Sequence, residues 1–161
     1  LRNKQKLKID NYKSFNKNRQ HSAMGGVSIS MKNNESKFAV KSSEGSNKNE
    51  YLITRHEQFS PPINIITIYG EQESRTSKSD LEENWNQILS ELIKINDRNE
   101  NSLIIGDLNK HIGNDSLGVS GNHEKISYGG TLIRALLKEG DYILVNSTNK
   151  TEGGPFTRFD P

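Results

Sequence analysis

The sequence predicts an α/β fold, and three adjacent stretches carry that prediction. Ile63 to Tyr69 is the most β-branched run of the chain and reads as a central strand. From Leu81 onward, Trp85, Ile88, Leu89, Leu92, Ile93 and Ile95 recur at helical spacing along one broad apolar face. Leu103 to Ile105 then gives a short apolar run, too brief for a helix, closed by Gly106 and Asp107. It reads as a strand buried on both faces. Strand, helix and strand over residues 63–106 form a β-α-β unit of suitable length.

The other elements follow in chain order. Residues 1–22 show no sustained period. Val27-Ser28-Ile29-Ser30-Met31 alternates apolar and polar and predicts a half-buried strand, with Phe38 to Val40 as a short partner. Lys41 to Asn49, rich in Ser, Asn and Lys, reads as a surface loop, and Tyr51 to Arg55 resumes strand chemistry. Ser79 with Glu82 three residues later predicts a capping box at the start of the long helix, which frays near Asn96-Asp97. Trp85 reads as core packing. Lys110 to Tyr128 is a long, polar loop with His111, Asp115 and His123; such a loop is usually functional or mobile. Gly130 leads into a short helix, Thr131 to Glu139, with Gly140 as its stop. Tyr142 to Val145 predicts another buried strand, and Phe156-Thr157-Arg158-Phe159 begins a last one. No internal repeat and no domain boundary is visible, so residues 1–161 read as one domain.

Composition narrows the function classes. With 30% apolar and 26% charged residues in 161, the core is modest. No apolar run is long enough to cross a bilayer, and no signal-peptide pattern is present. The lack of cysteine excludes a disulfide framework and thiol zinc sites and fits an intracellular setting, the nucleus among the options. The net charge of +2 is uneven: residues 1–20 sum to +6 and the remainder to −4. Such a basic arm suits a phosphate backbone, or is simply a solvated end. A first residue that is Leu, and a stop at Pro161 just after a predicted strand, suggest a fragment.

The chemistry concentrates at Gly106-Asp107-Leu108-Asn109. Gly106 permits a tight backbone turn at the strand's C-terminal end, where layered α/β proteins place ligands. If the extended form persists, Asp107 and Asn109 share a face. A carboxylate beside a carboxamide suits a phosphate or a metal-bound water: one moves a proton, the other orients by hydrogen bond. The same residues also favour a plain turn on backbone grounds.

Four pieces taken in order resemble the endonuclease/exonuclease/phosphatase superfamily: Gly25-Gly26-Val27-Ser28-Ile29, a strand ending at Tyr69, Gly106-Asp107-Leu108-Asn109, and Phe156-Thr157-Arg158-Phe159. The likeness is greatest to endonuclease domains of retrotransposons lacking long terminal repeats, and to animal genes derived from them. It implies a partial four-layered α/β/β/α sandwich and Mg²⁺-dependent phosphodiester hydrolysis, with DNA as partner. By the same resemblance, Asp107 handles the proton of the attacking water or leaving group, and Asn109 orients the phosphate or that aspartate. Tyr69 contacts the scissile phosphate. Where related nucleases follow this tyrosine with Pro-Asn, Glu71-Gln72 stands here, with Arg75 in the place of their arginine. Gln72 keeps an amide able to bond phosphate, while Glu71 adds repulsive charge. Thr157 matches the threonine of the late strand. The family's N-terminal Asn and metal-binding Glu are expected upstream of Leu1, and its late Asp and Ser-Asp-His element beyond Pro161. The 161 residues are therefore expected to be weak or inactive in catalysis. The alternatives are a phosphomonoesterase of the same fold and a non-catalytic transposon-derived remnant with weak nucleic-acid binding.

Overall fold

The computed structural model describes residues 7–19, 26–46, 49–113 and 125–143. They form a mixed α/β structure of two sheets and two α-helices. The strands are β1 (Tyr12–Asn18), β2 (Gly26–Lys32), β3 (Ala39–Glu44), β4 (Glu50–His56), β5 (Ile63–Tyr69) and β6 (Asn101–Asp107). The helices are α1 (Lys78–Asp97) and α2 (Tyr128–Glu139). Two compact units emerge: Leu1–Glu71 with Glu83–Leu108, and Gln72–Glu82 with Asn109–Pro161.

In the first unit, β3, β4, β5 and β6 lie side by side in chain order. The β3–β4 and β4–β5 pairs are antiparallel, and β5–β6 is parallel, as a strand–helix–strand crossover requires. One face of this sheet carries Tyr51 and Ile53, Ile66 and Ile68, and Ile104. It lies against α1: the Asn49 side chain donates to the Asn84 carbonyl oxygen at 2.8 Å, and Trp85, Ile88, Leu92 and Ile95 are buried. The other face carries Glu50, Leu52 and Thr54, then Ile65, Thr67 and Tyr69, then Leu103, Ile105 and Asp107. The two-stranded β1–β2 sheet packs over its β4–β5 part.

β5 is central and α1 is helical, in agreement with the periodicity, and Trp85 is core. The prediction for Leu103 to Ile105 needs correction. β6 pairs with β5 but is the edge of its sheet among the described residues, and Leu103 and Ile105 are 44% and 50% exposed. Three apolar residues in a row imply two covered faces, yet among the described residues β1 and β2 pack mainly over β4 and β5.

Other differences have local causes. β1 lies in a stretch without apolar periodicity; it is held by its antiparallel ladder to β2, where the directly opposed Ser14 and Ser30 hydroxyls are 2.8 Å apart. Phe38 falls in a 3₁₀ turn, Ser36–Phe38, and β3 after it pairs with β4, not with β2. Much of the expected Lys41 to Asn49 loop is β3, a polar edge strand with a register shift between Lys41 and Ser43. The cap of α1 is Ser77, not Ser79: the Asp80 amide donates to Ser77 Oγ at 3.1 Å, and Ser77 Oγ donates to the Asp80 carboxylate at 2.6 Å. At the other end, Asn99 adopts φ 53°; its amide donates to Asn96 O and that of Glu100 to Ile95 O, a Schellman closure.

In the second unit, α2 starts at Tyr128, three residues before the expected Thr131, because Ser127 caps it by accepting from the Gly130 amide at 3.1 Å. The Glu73 carboxylate accepts from Ser127 Oγ and, at 2.9 Å, from the Gly129 amide, adding a negative charge at the positive end of the helix. Tyr142 and Ile143 are not strand, and Ile143 is exposed, so this part of the predicted Tyr142–Val145 strand is not formed. Leu144 and Val145, the Phe156–Phe159 strand with Thr157, and Asp115 and His123 lie outside the described residues. Among the described residues no helix is long and apolar enough to cross a membrane.

Candidate functional site

The candidate site of the first unit lies at the C-terminal ends of β5 and β6. Parallel pairing sets Tyr69 directly opposite Asp107, so their side chains leave the same face of the sheet from strands about 4.8 Å apart. On the other side of Tyr69, antiparallel pairing sets Glu50 opposite it. Glu50, Tyr69 and Asp107 thus form a row across three neighbouring strands, on the face that the β1–β2 sheet partly covers.

Two glycines hold this end of the sheet together. Gly106 has φ +151°, and a Cβ there would sit 1.8 Å from the Ile68 carbonyl oxygen. Gly70 lies so close to the neighbouring strand's exit that a Cβ would be 2.1 Å from Leu108 O, and its amide donates to Asp107 O at 2.7 Å. Glycine at both positions lets the backbones approach closely enough to carry the pairing past Asp107.

Glu50 is the buried member, with only 6% of its side chain exposed. One oxygen accepts from Arg19 Nε and the other from the Gly26 amide at 3.0 Å, so the carboxylate is paired and hydrogen-bonded as burial demands. The guanidinium of Arg19 stands 5.6 Å from the centre of the Tyr69 ring. Its bond to Glu50 raises the Arg19 pKa above the ordinary arginine value, despite partial desolvation. Asp107 is an exposed residue.

Tyr69 and Asp107 are therefore brought together. The other expected residues belong to the second unit. Asn109 has φ 50°, so the extended form ends at Asp107 and the alternation expected to place Asp107 and Asn109 on one face does not persist. Gln72 and Arg75 are exposed around a 3₁₀ turn, Glu73–Arg75, where the Gln72 carbonyl accepts from the Arg75 amide at 3.0 Å and from Thr76 Oγ1 at 3.2 Å. Glu71, in the first unit, accepts a bond from the Asn84 side chain at 3.3 Å. His111 is a loop residue whose carbonyl accepts from the Ser127 amide at 2.9 Å.

Sequence reasoning missed Arg19 and Glu50. Arg19 is one basic residue among several in the N-terminal arm, and Glu50 precedes an apolar run without any motif. Only the ladder of β4 on β5 reveals that Glu50 and Tyr69 are neighbours.

Among the described residues no three His, Cys, Asp or Glu side chains gather around a point that would hold a metal ion. Both oxygens of Glu50 already accept bonds, one from Arg19 and one from Gly26. The row with the adjoining Arg19 does offer a phenol hydroxyl, a carboxylate and a guanidinium: a donor to an oxyanion, an acceptor for a proton, and a positive charge. Compared with known families, curated proteins and solved structures, the chain matches none.

Proposed function

We propose that this chain carries the phosphate-handling end of a phosphodiesterase acting on DNA, of the endonuclease/exonuclease/phosphatase kind that its motifs resemble. The complete fold in this reading is the four-layered α/β/β/α sandwich. The single observation that supports it most is the pairing of Tyr69 with Asp107 on one face at the strand ends. In this role Tyr69 donates its hydroxyl hydrogen bond to a phosphoryl oxygen. Asp107 accepts a proton from the attacking water, or returns one to the leaving oxygen. Asn109, Gln72, Arg75 and Thr157, which belong to the second unit, are phosphate-orienting groups by the resemblance alone. The Mg²⁺ requirement belongs to the same proposal, with its ligands outside the described residues.

The test is nicking of supercoiled plasmid with Mg²⁺ present or chelated, by the 161-residue chain and by any longer chain that its gene encodes. The short chain is expected to be slow or inactive. The longer chain is expected to nick, and to lose at least about a hundredfold in rate on Asp107→Ala, the usual scale for one proton-transfer group. Nicking that survives Asp107→Ala overturns the role of Asp107. Release of phosphate from monoesters without nicking turns the reading to a phosphatase. Neither activity from the longer chain leaves the non-catalytic, nucleic-acid-binding remnant.

A further inference from the structure

We infer that Arg19 is a phosphate-contacting residue of this site, held in place by Glu50 and delivering its charge beside Tyr69. The inference rests on the phosphodiesterase reading above and names a residue that the motifs do not include. A buried carboxylate needs a partner, and a counterion role alone would account for the Arg19–Glu50 pair. Three observations go further. Glu50 bonds Nε, one donor group of a guanidinium whose five N–H donors suit bidentate contact with phosphate. The Gly26 amide already satisfies the second Glu50 oxygen, so the terminal nitrogens of Arg19 are not required there. The side chain remains 32% exposed while its guanidinium stands over the Tyr69 ring, next to the strand position of Asp107.

The local charge gives the arrangement a purpose. Asp107 and Glu71 both repel a phosphodiester, and Glu71 lies close enough to act on the Arg19 charge. A fixed guanidinium between β1 and the end of β5 offsets that repulsion where the substrate oxygen would meet Tyr69. Because Glu50 and the aromatic ring already restrain the arginine, little rotamer freedom remains to be lost on binding.

The experiment measures binding of a labelled DNA duplex to the full 161-residue chain at several salt concentrations. A single Arg19→Gln risks unfolding, because it leaves Glu50 buried and unpaired. The main variant is therefore the double change Arg19→Gln with Glu50→Gln, which removes both charges together. Melting followed by circular dichroism checks that it is folded. The expected result is about tenfold weaker binding and a salt dependence shallower by about 0.9 in log–log slope, the signature of one lost phosphate contact. Arg19→Lys keeps a cation next to Glu50 and is expected to keep the slope while losing affinity, since the fork is gone. Asp107→Ala is expected to retain the wild-type slope or steepen it. If the wild-type chain binds and the folded double variant shows an unchanged slope, the inference about Arg19 is overturned and the phosphodiesterase reading stands. Failure of the wild-type chain to bind duplex overturns the inference about Arg19, while the phosphodiesterase reading is decided by nicking with the longer chain.

Discussion

Asn64 donates its side-chain amide to Glu100 Oε2 at 2.8 Å, tying the start of β5 to the residue just before β6. Arg55 Nε meets the other oxygen of Glu100 at 2.9 Å, and Arg98 approaches Oε2 at 3.2 Å. Burial alone would raise the Glu100 pKa, but the bonds from Asn64, Arg98 and Arg55 outweigh it and bring the carboxyl down to about 2 from 4.5. A carboxylate with a depressed folded-state pKa stabilises the fold above its unfolded value. That contribution is lost as the pH falls from about 4.5 towards 2. Thermal melts should therefore show the wild-type chain losing stability through this window, and Glu100→Gln losing much less. At pH 7 Glu100→Gln is expected to cost about 2 kcal/mol through weakened charged hydrogen bonds. Equal acid sensitivity in both proteins would contradict this account.

Gly106→Ala should be among the most damaging small substitutions. The added carbon would meet the Ile68 carbonyl at 1.8 Å, at a backbone φ of +151° that side chains rarely adopt. The only relief is separation of β6 from β5, so a loss of about 3 kcal/mol is expected in urea unfolding, in the range of strained-backbone and overpacking changes. A loss below about 0.5 kcal/mol would show that β6 can shift without cost.

The two serines at the start of α1 provide a direct comparison. Ser77→Ala removes the side chain that accepts from the Asp80 amide and should cost about 1 kcal/mol. Ser79→Ala, inside the first turn, should be neutral or slightly stabilising, since Ala is the better helix former. Unfolding midpoints of the two variants decide between them.

Isoleucines of similar size should behave oppositely on β5 and β6. Ile66, fully buried under α1, should cost about 3 kcal/mol when changed to Ala. Ile105→Ser, at a half-exposed edge position, should change stability by less than about 1 kcal/mol and improve solubility, because it breaks an apolar strip shared with Leu103. Light scattering on concentrated samples, alongside urea unfolding, measures both effects.

What the residues revealed in advance follows from which forces are local. Helical repetition from Leu81 to Ile95 and the β-branched run at Ile63 record burial directly, so α1 and β5 were legible. Tyr12 to Asn18 records nothing of the kind: its pleat is imposed by β2, a partner whose register no single segment encodes. Leu103 and Ile105 are apolar without being enclosed, because their covering depends on how far β1 and β2 extend. The site divides the same way. Asp107 at a strand's C-terminal end could be read from its local sequence, although Gly106 stays within β6 and does not make the expected turn. The Glu50–Arg19–Tyr69 cluster, by contrast, needs three strands in register before it exists.

The position of β6 has a consequence for dynamics. Among the described residues β6 pairs with a strand on one side only, and it reaches that partner only after the chain has passed through the whole of α1. Local opening can therefore peel Asn101–Asp107 away while β4 and β5 remain intact, a fluctuation well below global unfolding in free energy. Each such opening carries Asp107 away from Tyr69, leaving Arg19 and Glu50 undisturbed. The side-by-side placement of Tyr69 and Asp107 is thus transient on the timescale of strand fraying, while the Arg19–Glu50 pair persists as long as the core does.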